Sequence, residues 1–451
     1  MKVKLLLAAM VFTLGALHAM ELTISVNAGS DQGSFNEMVL GAGAPDKYSY
    51  WPGDTTLQNR IREAKIKLVR AGVVQLGKYN NRDVYPSYNN WNWPVIDEII
   101  RSIFEAGAQP LFLVMGYPGG VTAKDWNGYA HFMEEIVRRY NVNKVLGSTR
   151  TIKYWEMWNE PTIEGDGTLS QYDYQNFANT VGAAMKNVDS SIKLCGPARA
   201  YSDIDGWINW THNNIGVIDI LTWHDYGPSP DVGDYERMQW QKPHYQDNIA
   251  RVKGWGKGAG ITEYNMSHQD GGATYNAKYH NEVNSVWLAS ALINAIRGNA
   301  DIFTVYNLRE TGENLLGLLD GNYNPYRPYY TYYLFGNSHG DRKVYSGGGD
   351  TWLEQIATKD SGTGETYIIV VNKNTNWEEY NLTINISGTV SSGTAYLRLL
   401  NNGTLPTSET AISFSNSRIT YTIPPYAVVS FRIPDGSGGS TQAPTSMPSP
   451  A

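Results

Sequence analysis

The fold is first indicated by one segment, in which an apolar run ends and a polar turn begins: Tyr154-Trp155-Glu156-Met157-Trp158-Asn159-Glu160-Pro161. The run, residues 152–158, predicts a β-strand. Seven similar runs lie between residues 38 and 340, and segments with helical spacing, such as 93–106 and 170–188, separate them. Eight strand-then-helix units predict a (β/α)8 TIM barrel of the α/β class, in which all strands are parallel.

The eight predicted strands are continuously apolar, as expected when helices cover the outside of a parallel sheet. An open, doubly wound sheet is the competing topology, and it usually has a glycine-rich phosphate turn after its first strand. The candidate turn Gly41-Ala42-Gly43-Ala44-Pro45 matches only in part, because its proline is unsuited to the helix that must follow. The predicted strands are residues 39–44, 67–71, 109–115, 152–158, 192–196, 218–223, 260–263 and 301–306.

The pattern changes after residue 340, where short and often alternating segments are separated by Gly, Asn, Ser and Thr. This pattern predicts a C-terminal antiparallel β-sandwich over residues 341–433, and an N-terminal strand within residues 20–37 is expected to pair with it. Residues 434–451 are rich in Ser, Gly and Pro and predict a tail or linker, which makes an accessory module or a matrix a candidate partner. The strands predicted in this part are residues 352–358, 366–372, 380–386, 395–400, 411–414 and 428–433.

Composition and targeting signals exclude several classes of protein. Of the 451 residues, 41% are hydrophobic, and the net charge is −7 with no long Lys/Arg run, so neither a disordered chain nor a nucleic-acid partner is expected. Two lysines, an apolar stretch and Ala19 predict a signal peptide over residues 1–19, which implies secretion and no membrane attachment after its removal. A buried first helix or an uncleaved anchor is the alternative. The single cysteine, Cys195, lies in a strand-like run and is expected to be a buried, inert thiol.

Two glutamates lie where the predicted barrel places its chemistry, at the C-terminal ends of strands. Glu160 follows the fourth strand, and Glu263 ends the seventh in Gly260-Ile261-Thr262-Glu263-Tyr264-Asn265. Paired carboxylates at one barrel mouth suit glycoside hydrolysis, in which one group protonates the leaving oxygen and the other attacks the anomeric carbon or activates water. A separation of about 5–5.5 Å would favour the retaining route.

The aromatic content of 12% supports a sugar ligand, since aromatic faces stack on the apolar faces of sugars. Several aromatic residues fall in the predicted strand-exit loops. Trp51 follows the first strand, Tyr117 follows the third, and Tyr306 ends the eighth, so we predict that these three contact substrate.

The motifs Glu156-Met157-Trp158-Asn159-Glu160-Pro161 and Thr262-Glu263-Tyr264-Asn265 resemble those of the retaining glycoside hydrolases of clan A. Within the clan the sequence is most similar to glycoside hydrolase family 39, the β-xylosidases and iduronidases, although families 30 and 51 share the barrel-and-sandwich architecture. The resemblance implies that Glu160 is the acid/base and Glu263 the nucleophile. It further implies that Arg70 hydrogen-bonds the nucleophile, Asn159 binds the sugar 2-hydroxyl, Tyr226 holds Glu263, and His224 reaches sugar hydroxyls or Glu160.

This mechanism sets requirements for the two carboxyl groups. Glu160 must carry a proton, so we expect burial or the charge of Glu263 to raise its pKa, while Glu263 must stay ionised. The eight histidines are scattered singly, so no metal site is expected, and no cofactor is expected either.

The sequence therefore predicts a secreted, extracellular retaining glycosidase that hydrolyses β-glycosidic bonds in plant or algal polysaccharide or in its oligosaccharides. Xylan and xylooligosaccharides are the favoured substrates, and an agar-, galactan- or arabinan-type glycosidase of the same clan is the alternative. Two further readings are a non-catalytic carbohydrate-binding protein on the same barrel and a wall-associated structural protein. The sugar, the linkage, and exo or endo action stay open at this stage.

Overall fold

The computed structural model describes residues 19–43, 53–72, 83–163, 168–310, 315–376 and 378–435. Trp51, nearly all of the predicted signal peptide and most of the predicted tail lie outside these residues. The described chain forms a closed parallel barrel and a second, nine-stranded sheet, which confirms the predicted fold class. None of its helices has the length and apolar content needed to cross a membrane.

The barrel is built from eight strands that pair in sequence order, and the last closes on the first. Every neighbouring pair is parallel. The strands are β2 (Gly41–Gly43), β3 (Leu68–Ala71), β4 (Gln109–Val114), β5 (Tyr154–Met157), β6 (Lys193–Arg199), β7 (Ile220–His224), β8 (Gly258–Tyr264) and β9 (Ile302–Val305).

The main helices surround the barrel and begin at recognisable caps. Asp54, Asp125 and Ser170 each accept a hydrogen bond from the first turn of the helix that follows, which satisfies amide groups that have no partner inside the helix. The helices are α1 (Thr55–Glu63), α2 (Trp93–Glu105), α3 (Trp126–Val137), α4 (Gln171–Val188), α5 (Asn209–Asn214), α6 (Asp234–Arg237), α7 (Asn248–Lys253), α8 (Ala273–Asn276), α9 (Glu282–Arg297) and α10 (Tyr329–Gly336). Short 3-10 or π-helical turns lie at Glu37–Val39, Arg138–Val142, Ile204–Ile208, Lys242–Asp247 and Ala277–His280.

The barrel interior is apolar at one level and polar above it. Six buried or nearly buried side chains form one cluster near the starts of the strands: Leu68, Leu111, Tyr154, Cys195, Ile220 and Ile302. Alternate residues of a strand face the same side, so the next inward residues on β3 and β5 are Arg70 and Glu156. Cys195 is fully buried as expected, and burial raises the pKa of its thiol.

The second sheet is mostly antiparallel and nearly closed. Its two edge strands follow each other directly in the chain. Its opening strand pairs antiparallel with one neighbour and parallel with the other. Side chains from all nine strands fill one core. In spatial order the strands are β15 (Thr410–Phe414), β14 (Gly393–Leu400), β17 (Ala427–Ile433), β12 (Thr366–Asn372), β11 (Leu353–Lys359), β10 (Arg342–Gly348), β1 (Met20–Ser34), β13 (Tyr380–Ser387) and β16 (Arg418–Ile423).

Helix α9 lies between the barrel and this sheet, and nearly all of its residues are buried. Its Ser290 and Asn294 donate hydrogen bonds to Glu354 of β11, at 2.6 and 3.2 Å. Lys373 completes the cluster with an ion pair of 2.8 Å to Glu354. This buried polar contact joins the barrel to the sheet.

Candidate active site

The two strand-end glutamates meet at the C-terminal mouth of the barrel. Glu160 lies just beyond the end of β5, and Glu263 is the second-last residue of β8. An oxygen of each carboxyl group and one ring nitrogen of His224 all lie within 4.8 Å of one another. The side chains of Glu160 and Glu263 are 17% and 13% exposed, so both are mostly enclosed but still reach solvent.

The backbone that carries Glu160 is held in an unusual conformation. Trp158 and Glu160 have φ angles of +75° and +38°, in the left-handed region that non-glycine residues seldom adopt. The Glu160 amide donates to the carbonyl oxygen of Ala198 at 3.0 Å, which ties this turn to the end of β6. Such strain persists where the surroundings enforce it, and it is typical of functional sites.

Arg70 connects the groups around the nucleophile candidate. Its Nη1 donates to Glu263 Oε1 at 2.7 Å, and its Nη2 donates to Asn159 Oδ1 at 2.5 Å. Its third polar contact runs from Nε to Glu156 Oε2, also at 2.5 Å. Burial lowers the pKa of Arg70, but the charges of Glu156 and Glu263 outweigh that effect and leave it raised. The guanidinium is therefore a permanent cation beside Glu263.

Tyr226 supplies the second hydrogen bond to Glu263. Its hydroxyl donates to Glu263 Oε2 at 2.7 Å. Burial, followed by the negative charge of Glu263, raises the pKa of Tyr226 well above its ordinary value. The hydroxyl thus stays protonated and donates, so both oxygens of Glu263 are held by fixed donors.

His224 lies between the two carboxyl groups, with Nδ1 at 2.7 Å from Glu160 Oε1 and 3.5 Å from Glu263 Oε2. Burial lowers the pKa of His224, but Glu263 and Glu160 together raise it above its ordinary value. The sequence led us to expect a raised pKa for Glu160, and this is wrong for the structure described here. Burial does raise that pKa, yet the hydrogen bond and charge of His224, with the charge of Arg70, leave it lowered. Both directions favour a proton on the imidazole rather than on Glu160, in the hydrogen bond that the two groups share.

A cavity of about 510 Å³ opens over these groups. Tyr306 lines it, as does Tyr201, another aromatic residue at a predicted strand exit. His268 lines it as well, and the sequence did not single out this residue. The His268 ring lies 5.5 Å from that of Tyr226, which places it beside the nucleophile candidate. No local motif marks His268, because its position depends on the path of the loop after β8.

The other two aromatic residues predicted to contact substrate are Tyr117 and Trp51. Tyr117 does not line this cavity, and its ring packs 5.6 Å from that of Trp158 and 6.3 Å from that of Trp126. A sugar contact through Tyr117 thus stays a prediction. Trp51 lies outside the described residues, and its contact with substrate is a prediction as well.

Within the described ranges, Glu160, His224 and Glu263 are the group of potential metal ligands that lie close enough to share an ion. Arg70 and Tyr226 already occupy both oxygens of Glu263, and His224 occupies Oε1 of Glu160. The arrangement suits nucleophilic attack and proton transfer. The hydrogen bonds to Glu263 orient a nucleophile, and the hydrogen bond between His224 and Glu160 can carry a proton.

Comparison with known proteins places the chain in a family. Residues 33–402 match Glycosyl hydrolases family 39. No curated protein matches the sequence. Among solved structures, the chain is similar to CelM2, a bifunctional glucanase-xylanase from a metagenome library, with a TM-score of 0.68 and 16% identity over 93% of this chain and 100% of that one.

Two other solved structures have the same architecture. The α-L-arabinofuranosidase of Thermotoga maritima has a TM-score of 0.70 and 14% identity, and the match covers 92% of this chain and 100% of that one. A monomeric β-xylosidase from Caulobacter crescentus CB15 has a TM-score of 0.69 and 14% identity, with the same coverage of 92% and 100%. Identities this low establish a shared fold, whereas the family match extends over most of the sequence. The chain belongs to glycosyl hydrolase family 39 and is a glycoside hydrolase with a carbohydrate substrate.

Proposed function

We propose that the protein is a secreted retaining glycosidase that cleaves β-glycosidic bonds by double displacement, with Glu263 as nucleophile and Glu160 as acid/base. The observation that carries the proposal is the geometry of the two carboxyl groups, which have oxygens within 4.8 Å of each other at the barrel mouth. Retaining enzymes hold their carboxyl groups about 5–5.5 Å apart, whereas inverting enzymes leave about 6.5–9.5 Å for a water molecule.

In the first step Glu263 attacks the anomeric carbon, and the bond from that carbon to the leaving oxygen breaks. The shared proton passes from His224 to Glu160, 2.7 Å away, and from Glu160 to the leaving oxygen, so both groups end the step without it. Arg70 and Tyr226 keep Glu263 ionised and orient it for attack. The product of this step is a glycosyl-enzyme ester.

In the second step water attacks the anomeric carbon, Glu160 accepts a proton from that water, and Glu263 leaves as a carboxylate. Forming the ester has removed the negative charge of Glu263 from the neighbourhood of Glu160. The pKa of Glu160 therefore falls further in the intermediate, which favours its role as a base in this step.

Xylan and xylooligosaccharides are the substrates we favour. Two of the structures with this fold are a glucanase-xylanase and a β-xylosidase. Because another is an α-L-arabinofuranosidase, an arabinan-type substrate is the second candidate, with agar- and galactan-type substrates behind it. A panel of polysaccharides and aryl glycosides, with NMR detection of the first anomer released, separates these candidates. Release of the β-anomer from a β-linked substrate is expected, and an inverted first product would overturn the proposal.

Paired substitutions test the two roles. Glu160→Gln and Glu263→Gln are each expected to lose most activity on substrates with poor leaving groups. With Glu160→Ala, azide should restore turnover of an activated glycoside and give a glycosyl azide of retained configuration. With Glu263→Ala, the azide product should be inverted. Normal turnover of a poor substrate by either variant, or no hydrolysis of any glycan by the native protein, would refute the assignment, the latter leaving carbohydrate binding or a structural role.

A further inference from the structure

Glu156 is a fully buried carboxylate that the proposed mechanism does not use. It lies on β5, two residues after Tyr154, so its side chain points into the barrel above the apolar interior layer. It does not line the active-site cavity. Its Oε2 accepts the Nε–H of Arg70 at 2.5 Å, which leaves both terminal nitrogens of the guanidinium free to reach Glu263 and Asn159.

Apart from Arg70, the named neighbours of Glu156 are apolar or neutral. Its register partners on the neighbouring strands are Leu113 and Cys195. Burial raises the pKa of Cys195, and it likewise raises that of the nearby Tyr174, so both remain neutral. Replacing a buried ion pair with apolar side chains is often neutral or stabilising. A buried carboxylate that pairs with an active-site cation therefore points to a role in the chemistry above it.

The charge of Arg70 acts on both members of the acid/base pair. It lowers the pKa of Glu160 and, against the opposing effect of Glu263 and Glu160, it also lowers that of His224. Among the contributions that raise the pKa of Arg70, the charge of Glu156 comes first. A negative charge at Glu156 thus compensates the guanidinium from the side opposite the substrate.

We propose that Glu156 is a positioning residue that fixes the orientation of Arg70 and offsets its charge, so that the proton shared by Glu160 and His224 is retained at working pH. This inference rests on the proposed function, since it concerns the same acid/base pair. Without the carboxylate, the uncompensated charge of Arg70 would favour loss of that proton.

The test compares wild type with Glu156→Gln, which keeps the side-chain shape and removes the charge. We expect the basic limb of kcat/KM against pH to move to lower pH by roughly one unit, as for one unit charge at short range inside a protein. The NMR titration of the His224 imidazole should move in the same direction. Glu354→Gln is the matched control, because it removes another buried carboxylate that pairs with a cation, Lys373, in the contact between barrel and sheet. It should leave both curves in place.

Curves for Glu156→Gln that coincide with wild type would overturn the inference. Failure of the proposed function can be told apart from failure of this inference. In the first case wild type would hydrolyse no substrate, while the NMR titration of His224 would still show whether Glu156 affects the imidazole. If Glu156→Gln does not fold by circular dichroism, Glu156→Asp decides. It keeps the charge but is shorter by one methylene, so kcat/KM should fall at least about tenfold while the His224 titration stays in place. Wild-type kcat/KM in this variant would refute the positioning role.

Discussion

Tyr226→Phe removes one of the two donors that hold Glu263, and its effect can be worked out from the structure. The hydroxyl of Tyr226 donates to Glu263 Oε2 at 2.7 Å in a buried setting, and Arg70 Nη1 holds the other oxygen at the same distance. In the glycosyl-enzyme Glu263 is an ester. Its negative charge returns as the ester bond breaks in the second step, so the Tyr226 hydrogen bond strengthens in that transition state.

A hydrogen bond to a charged group contributes about 1.5–3 kcal/mol, which corresponds to roughly 10- to 150-fold in rate. We therefore expect Tyr226→Phe to slow hydrolysis of the intermediate by a factor in this range. The first step should slow less, because the hydrogen bond already stabilises Glu263 before attack. With an aryl glycoside that has a good leaving group, kcat should fall and the glycosyl-enzyme should accumulate.

Stopped-flow measurement of aryl release shows this directly, as a burst close to one equivalent per enzyme followed by slow turnover. Tyr332→Phe is the matched control, since its buried hydroxyl lies 2.5 Å from that of Tyr264 and does not line the cavity. The control should keep wild-type kcat and show no new burst. A kcat for Tyr226→Phe within threefold of wild type, with no burst, would refute the role of this hydrogen bond.

Two further predictions concern titration and stability. His224→Asn removes the imidazole, whose pKa lies above its ordinary value because Glu263 and Glu160 outweigh the effect of burial. Without this base the basic limb of kcat/KM should move to lower pH. An unchanged pH profile would show that the imidazole does not hold the shared proton. Lys373→Met leaves Glu354 buried without its cation and should lower the free energy of unfolding in urea at pH 7 by about 3–5 kcal/mol. Burial raises the pKa of Glu354, but Lys373, Ser290 and Arg297 outweigh burial and leave it lowered. The loss of unfolding free energy in Lys373→Met should therefore shrink as the pH falls and Glu354 takes up a proton. Equal losses at pH 7 and pH 4.5 would contradict this reasoning.

The sequence alone determined the barrel and its two glutamates, because both depend on local patterns. Apolar runs alternating with helical spacing specify a parallel barrel, and a strand exit can be read from the few residues around Glu160 or Glu263. The sequence missed two strands of the second sheet. β10 contains few apolar residues, whereas β16 is a short alternating run, Arg418–Ile423, that the sequence reading passed over.

The sequence predicted that an N-terminal strand pairs with the C-terminal strands, but only the tertiary structure decided that its partners are β10 and β13, more than 300 residues further along the chain. It also decided which charged groups surround Glu160. Glu160 and His224 are 64 residues apart, and Arg70 and Glu156 are 86 apart, yet each pair is in hydrogen-bond contact. A pKa depends on burial and on charges within a few ångströms, and the barrel brings those charges together from four different strands. Sequence could name Glu160 as the candidate acid/base residue, but only the folded barrel brings the imidazole of His224 within 2.7 Å of it.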